Sequence, residues 1–271
     1  MVRTTTSRCC SCAAGPRVAE PSAGPVCLQG GGELSTACRP MDARVLRRVA
    51  GGPQPVRVVV AALAAVPGRE HDTAVRHGVE HYRRLGADAV GAPDARTDPG
   101  GAVAALREAR LVVLPGGSPS RLLDALRTTP VGDLLTALAA EGTAVSGSSA
   151  GAMVLGGWTV LPDRRGEAGL AVEPGLGLVP GVVVVPHWSG GGSRGDWLRA
   201  LDAAVPAGTA VLGLPEESGV LVQGRTATAL GVAAVRRVDA GRDAPPGSSW
   251  ELPAPEGPDA ASRDARTQQV E

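Results

Sequence analysis

The 271 residues carry 27 basic and 27 acidic side chains, so no net field draws the chain to nucleic acid or to an anionic membrane, and small or weakly charged partners are expected. Lysine, phenylalanine, asparagine and isoleucine do not occur; arginine, alanine, glycine, proline, valine and leucine replace them, the composition of GC-rich codons. The length suits one large α/β domain, and no apolar run is long enough for a signal-peptide core or a membrane span, which points to a cytoplasmic protein.

All five cysteines (Cys9, Cys10, Cys12, Cys27 and Cys38) fall in a Gly-, Pro- and Ser-rich opening stretch without hydrophobic period. Cys9-x-x-Cys12 would be half a zinc site, but no second C-x-x-C pair or histidine partner accompanies it. Residues 1–54 are therefore expected to be an unstructured leader, with Met41 as an alternative start, and residues 55–238 to form the α/β domain. Order is predicted to begin with a β-branched buried strand at residues 56–62. Next come a helix over 70–85 ended by Gly86, a strand at 87–90, a helix at 102–109 and a strand at 111–114 stopped by Pro115-Gly116-Gly117. This alternation implies a mostly parallel sheet with helices on both faces. Helices at 118–126 and 131–141 precede the strand that enters residues 145–153. Beyond it the pattern predicts an extended hairpin-like excursion over 156–180, a strand at 182–185, a helix at 196–205 and a strand at 210–214. Strands at 219–222 and 227–235 should pair antiparallel at the edge, and residues 239–271 read as a disordered tail.

Gly147-Ser148-Ser149-Ala150-Gly151 fits the G-x-S-x-G pattern, whose glycines permit a sharp strand-to-helix turn that holds a serine hydroxyl clear of the backbone. At a helix N-terminus, Ser149 would share its space with the Ala150 N–H, an arrangement suited to acyl transfer. The ordinary reading is a small-residue turn in a chain rich in glycine and alanine. A serine nucleophile needs a base, and the base needs an anion to fix its tautomer. A single histidine, His187, follows Ser149, just past a strand and on the same sheet edge. Glu216, Glu217 and Asp163 are the candidate orienting acids, with solvated turn carboxylates as the ordinary alternative. Gly116-Gly117 offers N–H groups that a ligand can approach closely, and Gly117 with Ala150 would complete an oxyanion hole.

In order and spacing, Leu114-Pro115-Gly116-Gly117-Ser118, the Gly147–Ala152 segment, Pro186-His187-Trp188 and Gly213-Leu214-Pro215-Glu216-Glu217 resemble the successive motifs of the serine peptidases that include dipeptidase E and cyanophycinase. The resemblance covers residues 56–235. It implies an α/β three-layer sandwich with a mostly parallel sheet, of the class I glutamine amidotransferase-like kind. It also implies a hydrolase that cleaves small peptides or isopeptides next to an aspartyl residue. Ser149 would be the nucleophile, His187 the base, Glu216 the orienting acid, and Gly117 and Ala150 the oxyanion donors. Three positions depart from the pattern: Ser118 stands where asparagine is frequent, Pro215 where aspartate is frequent, and Gly190, Gly191 and Gly192 where polar substrate-binding residues are sought. Recognition of an aspartyl carboxylate would call for a cation, and Arg194, then Arg121 and Arg164, are the candidates.

Other readings remain open at this level. The amidotransferase relatives use cysteine at the elbow, and none follows Cys38. An esterase of the α/β-hydrolase type has the order nucleophile, acid, histidine, which Asp163 as acid would restore. His77-Gly78-Val79-Glu80-His81 matches the H-x-x-E-H zinc pattern, against a glycine between the ligands and a position remote from the strand ends. A ligand-binding or regulatory domain without turnover is the non-enzymatic option. No cofactor or metal is expected. The oligomeric state is left open, a homodimer among the options.

Overall fold

The structure, a computed structural model, describes residues 23–162, 169–190 and 194–254. The chain opens with β1 (Val26–Gln29) and α1 (Arg39–Val49), then alternates through β2 (Arg57–Val60), α2 (Arg69–Arg84), β3 (Asp88–Gly91), α3 (Pro99–Arg107) and β4 (Leu111–Leu114). Two helices, α4 (Pro119–Thr128) and α5 (Val131–Ala140), lead into β5 (Ala144–Ser148) and α6 (Ala150–Leu155). A second set follows: β6 (Gly156–Pro162), β7 (Leu170–Pro174), β8 (Val179–Val185), α7 (Gly195–Ala204) and β9 (Ala210–Gly213). The last strands are β10 (Ser218–Gln223), β11 (Thr226–Gly231), β12 (Val235–Arg237), β13 (Arg242–Ala244) and β14 (Ser249–Glu251).

Local chemistry sets the helix ends. Asp98 and Ser118 cap α3 and α4 by accepting the Gly101 and Arg121 N–H groups, each with a proline in the first turn, where its missing N–H costs nothing. Gly86, at φ 85°, stops the chain after α2.

The main sheet has eight strands in the order β14-β11-β10-β1-β5-β4-β2-β3. The five from β1 to β3 run parallel, and β10, β11 and β14 extend them antiparallel. Alternation along the strands separates two cores. Leu28, Val59, Val112 and Val145 pack with α3, α4, α5 and α6. Cys27, Val58, Val60, Val113 and Leu221 pack with α1 and α2 on the other face. Each fully buried valine or leucine here contributes about 1.5–3 kcal/mol. The resulting fold is an α/β three-layer sandwich, as expected. The strands β6 to β9 lie outside the main sheet, however, in a second one of six strands ordered β13-β12-β9-β8-β6-β7. Its Val182, Val184 and Leu212 join the first core, while Val183 and Val185 pack with Leu201 of α7. The hairpin-like excursion is the antiparallel pair β6–β7.

Two boundary expectations need correction. The supposed leader contains β1, which sits inside the main sheet between β5 and β10, and α1, whose Met41 is a buried core residue. A start at Met41 would therefore remove an interior strand. Residues 1–22, with Cys9, Cys10 and Cys12, lie outside the described residues, whereas Cys27 and Cys38 are buried free thiols. The supposed tail supplies β13 and β14, paired to β12 and β11; residues 255–271 are outside the description. The strand expected at 227–235 is interrupted after Gly231, and its end, β12, crosses to the second sheet.

Candidate active site

The carboxyl ends of β1, β4, β5, β8 and β9 converge on Ser149. This residue has φ 48° and ψ −110°, strained for a side chain with a Cβ and characteristic of a sharp elbow between strand and helix. The flanking glycines make the turn possible. A Cβ on Gly147 would lie 2.5 Å from the Gly151 carbonyl carbon, and one on Gly151 would lie 2.3 Å from the Leu114 oxygen. The Ser149 N–H donates to the Gln29 carbonyl of β1 at 2.9 Å.

His187 follows β8, and Glu216 follows β9. Ser149 Oγ is 2.9 Å from His187 Nε2, and His187 Nδ1 is 3.0 Å from Glu216 Oε1. A carboxylate opposite Nδ1 places the proton there, so Nε2 is left to accept the Ser149 hydroxyl. Glu217 turns the other way, at φ 56°, and accepts the Ser35 hydroxyl at 2.9 Å. Asp163 lies outside the described residues.

The site floor is the Gly30-Gly31-Gly32-Glu33-Leu34 loop after β1, inside the segment expected to be an unstructured leader. The Gly30 carbonyl accepts the His187 N–H, and the Gly31 carbonyl accepts the Glu217 N–H, both at 2.8 Å. Gly31 lies directly against the imidazole: a Cβ there would be 2.3 Å from His187 Cε1. The signal that could have found this loop is a short apolar run followed by glycines, the same signature as residues 111–117.

Gly117 is exposed, at φ 141°, and Ala150 is the first residue of α6. The N–H of Gly117 has no protein acceptor among the described residues, and that of Ala150 lies at a helix start, where none is available within the helix. Gly116 differs, since its N–H donates to Glu33 Oε1 at 2.7 Å. Of the arginines, Arg121 donates to the Ala64 carbonyl at 2.7 Å, next to the space that a Cβ on Gly117 would fill. Arg194 donates to the Pro186 carbonyl and stacks 4.9 Å above the Trp197 ring. Arg164, Gly191 and Gly192 lie outside the described residues.

Residues 28–230 match the model of peptidase family S51. The chain belongs to that family. It is a serine peptidase of the dipeptidase E and cyanophycinase kind. The peptidase superposes on the crystal structure of a peptidase from an acI-B1 Actinobacterium with a TM-score of 0.70 and 23% identity, covering 86% of this chain and 98% of that one. On a putative peptidase E from Listeria monocytogenes EGD-e the TM-score is 0.56 and the identity 15%, covering 78% and 100%. These likenesses show the fold. Among curated proteins none matches.

The H-x-x-E-H segment has another use in this peptidase. His81 is buried, with Nε2 2.8 Å from Asp42 Oδ2 and Nδ1 3.1 Å from the Leu34 carbonyl, so both nitrogens are occupied. His77 and Glu80 are exposed, and Glu80 pairs with Arg84 one turn on. Asp42 also accepts from Gln29 Nε2 at 2.7 Å, and Gln29 reaches Ser146 Oγ at 3.2 Å. This buried cluster raises its neighbours. Burial, with the Asp42 charge adding, pushes the Cys27 thiol up to about 12 and the Tyr82 phenol well above 10.0. Among the described residues no helix is long and apolar enough to cross a membrane.

Proposed function

We propose that the peptidase hydrolyses small cytoplasmic peptides next to an aspartyl residue through acylation of Ser149. The observation that carries this reading is the hydrogen-bond chain Ser149–His187–Glu216 at 2.9 and 3.0 Å. His187 Nε2 takes the hydroxyl proton as Oγ attacks the scissile carbonyl, and Glu216 stabilises the imidazolium that forms. The Gly117 and Ala150 N–H groups receive the oxyanion, and His187 returns the proton to the leaving amine. Water then repeats the sequence to release the acid. The order Ser, His, Glu along the chain favours this over the esterase arrangement. Aspartyl preference follows from the family resemblance. Arg121, beside the Gly117 loop, is better placed than Arg194 to read the carboxylate, because Arg194 is held against Pro186 and Trp197.

A serine-directed phosphonate followed by peptide mapping tests the assignment. Labelling is expected on Ser149, and Ser149→Ala should lower kcat by about 10⁴-fold or more while the protein stays folded. Modification of Ser146 or Ser148 with Ser149 untouched would refute it.

A further inference from the structure

Among the described residues four that are not glycine hold a left-handed backbone: Leu34 at φ 64°, Ser149 at 48°, His187 at 50° and Glu217 at 56°. A side chain with a Cβ resists that region, so each persists only where its surroundings hold it. Ser149 and His187 carry the proposed reaction. Leu34 and Glu217 take no part in it, yet both belong to the loop after β1 or are fastened to it. Glu217 gives its N–H to the Gly31 carbonyl at 2.8 Å. Leu34 ends the loop, and its carbonyl lies 3.1 Å from Nδ1 of the buried His81 on α2.

A carbonyl can only accept, so Nδ1 carries a proton and donates it to Leu34. Nε2 of the same ring lies 2.8 Å from Asp42 Oδ2, and that carboxylate also accepts from Gln29 Nε2 at 2.7 Å. His81 is therefore fixed on one side through α1 and β1 and grips the loop with the other. Three consecutive glycines, Gly30 to Gly32, give this loop little stiffness of its own. Its course is set by where its ends are held: β1 fixes the first, and His81 the second. Between them the loop touches the site at successive residues. The Gly30 carbonyl accepts the His187 N–H at 2.8 Å, a Cβ on Gly31 would lie 2.3 Å from His187 Cε1, and Glu33 Oε1 accepts the Gly116 N–H at 2.7 Å. We propose that His81 is a positioning residue for the reaction: by holding the Leu34 carbonyl it keeps Gly31 against the His187 imidazole and Glu33 on the turn that precedes Gly117. The inference rests on Ser149 as nucleophile and His187 as base.

Two amides separate the roles of the two ring nitrogens. Asparagine places its amide nitrogen near the position of Nδ1, within reach of Leu34, and glutamine places it near Nε2, toward Asp42. Neither carries the whole ring, so both variants should melt early. At a temperature where both remain folded, kcat on an aspartyl dipeptide should stay within about threefold of wild type in His81→Asn and fall by about tenfold or more in His81→Gln. The rate at which a serine-directed phosphonate labels Ser149 should fall in parallel. Leu34→Pro reaches the same loop without touching the buried pair. Its ring fixes φ at about −65°, which forbids the left-handed turn, and kcat should again drop by about tenfold or more. Should neither histidine variant fold, Leu34→Pro decides. Equal kcat in folded His81→Asn and His81→Gln, or wild-type kcat in Leu34→Pro, overturns the proposal. A phosphonate that fails to label Ser149 in the wild type overturns instead the function on which it rests.

Discussion

Two histidine–carboxylate pairs share the Gly30–Leu34 loop. His187 and Glu216, 3.0 Å apart, have side chains 41% and 64% exposed; His81 and Asp42, 2.8 Å apart, are 3% and 2% exposed. The pairs differ in what the remaining imidazole nitrogen meets. Nε2 of His187 faces a serine hydroxyl, which has a proton to give. Nδ1 of His81 faces the Leu34 carbonyl, which can only accept, and the other nitrogen faces Asp42. With acceptors on both sides His81 has nothing to exchange, and it serves as a strut between α2, α1 and the loop. Under the proposed mechanism the same two functional groups serve as a base in one place and a brace in the other, according to one partner atom and access to water.

The largest expected effect follows from exchanging the two histidines' fates. His187→Gln should lower kcat/KM by about 10³- to 10⁴-fold, with a melting change of no more than about 4 °C because the pair is exposed. His81→Gln should instead cost about 3–5 kcal/mol in urea unfolding, since it leaves a buried carboxylate without its partner. Early melting of the first variant with neutral behaviour of the second would reverse the comparison.

Next in size is the choice between neighbouring carboxylates. Glu216→Gln should reduce turnover by about two to four powers of ten, and Glu217→Gln, which alters the contact with Ser35, by no more than about threefold. Equal losses would mean that both side chains orient His187.

A third carboxylate, with a permanent cation as partner, supplies the smallest effect. Burial raises the Asp94 carboxyl, but its bonds from the Arg96 side chain and backbone N–H outweigh this and hold it below 3.8. The stability it contributes is therefore present above the unfolded value of about 3.9 and disappears as pH falls through the lower folded one. Urea midpoints measured from pH 5 downward should fall more steeply in wild type than in Asp94→Asn. Parallel curves would show that the pair contributes nothing.

Much of this was legible from the residues. Strands β2, β4 and β8 announce themselves because burial on both faces favours runs of valine and leucine. Ser149, His187 and Glu216 could be picked out as candidates from the G-x-S-x-G turn, the single downstream histidine and the motif order, each lying just past a strand at the edge where parallel sheets gather their ligands. What escaped was β1 with its loop. Its four residues, Val26-Cys27-Leu28-Gln29, lie between Gly24-Pro25 and three glycines, in a composition that mimics disorder. The order of β1 comes from partners far along the chain rather than from local propensity. Between Glu216 and Glu217 the residues alone left the choice open and the family resemblance favoured Glu216; in the structure the two are distinguished by a positive φ at Glu217.

The placement of β1 also governs when the molecule can come into being. Its two neighbours are residues 145–148 and 219–222, so during synthesis the strand meets its first partner only once residue 148 is made and its second only once residue 222 is made. Such distant pairing slows folding and exposes the nascent chain to aggregation. It also delays competence, because the Ser149 N–H is anchored on Gln29 and the His187 N–H on Gly30. A copy terminated before residue 219 would keep the Gln29 and Gly30 anchors but leave one edge of β1 without its partner strand.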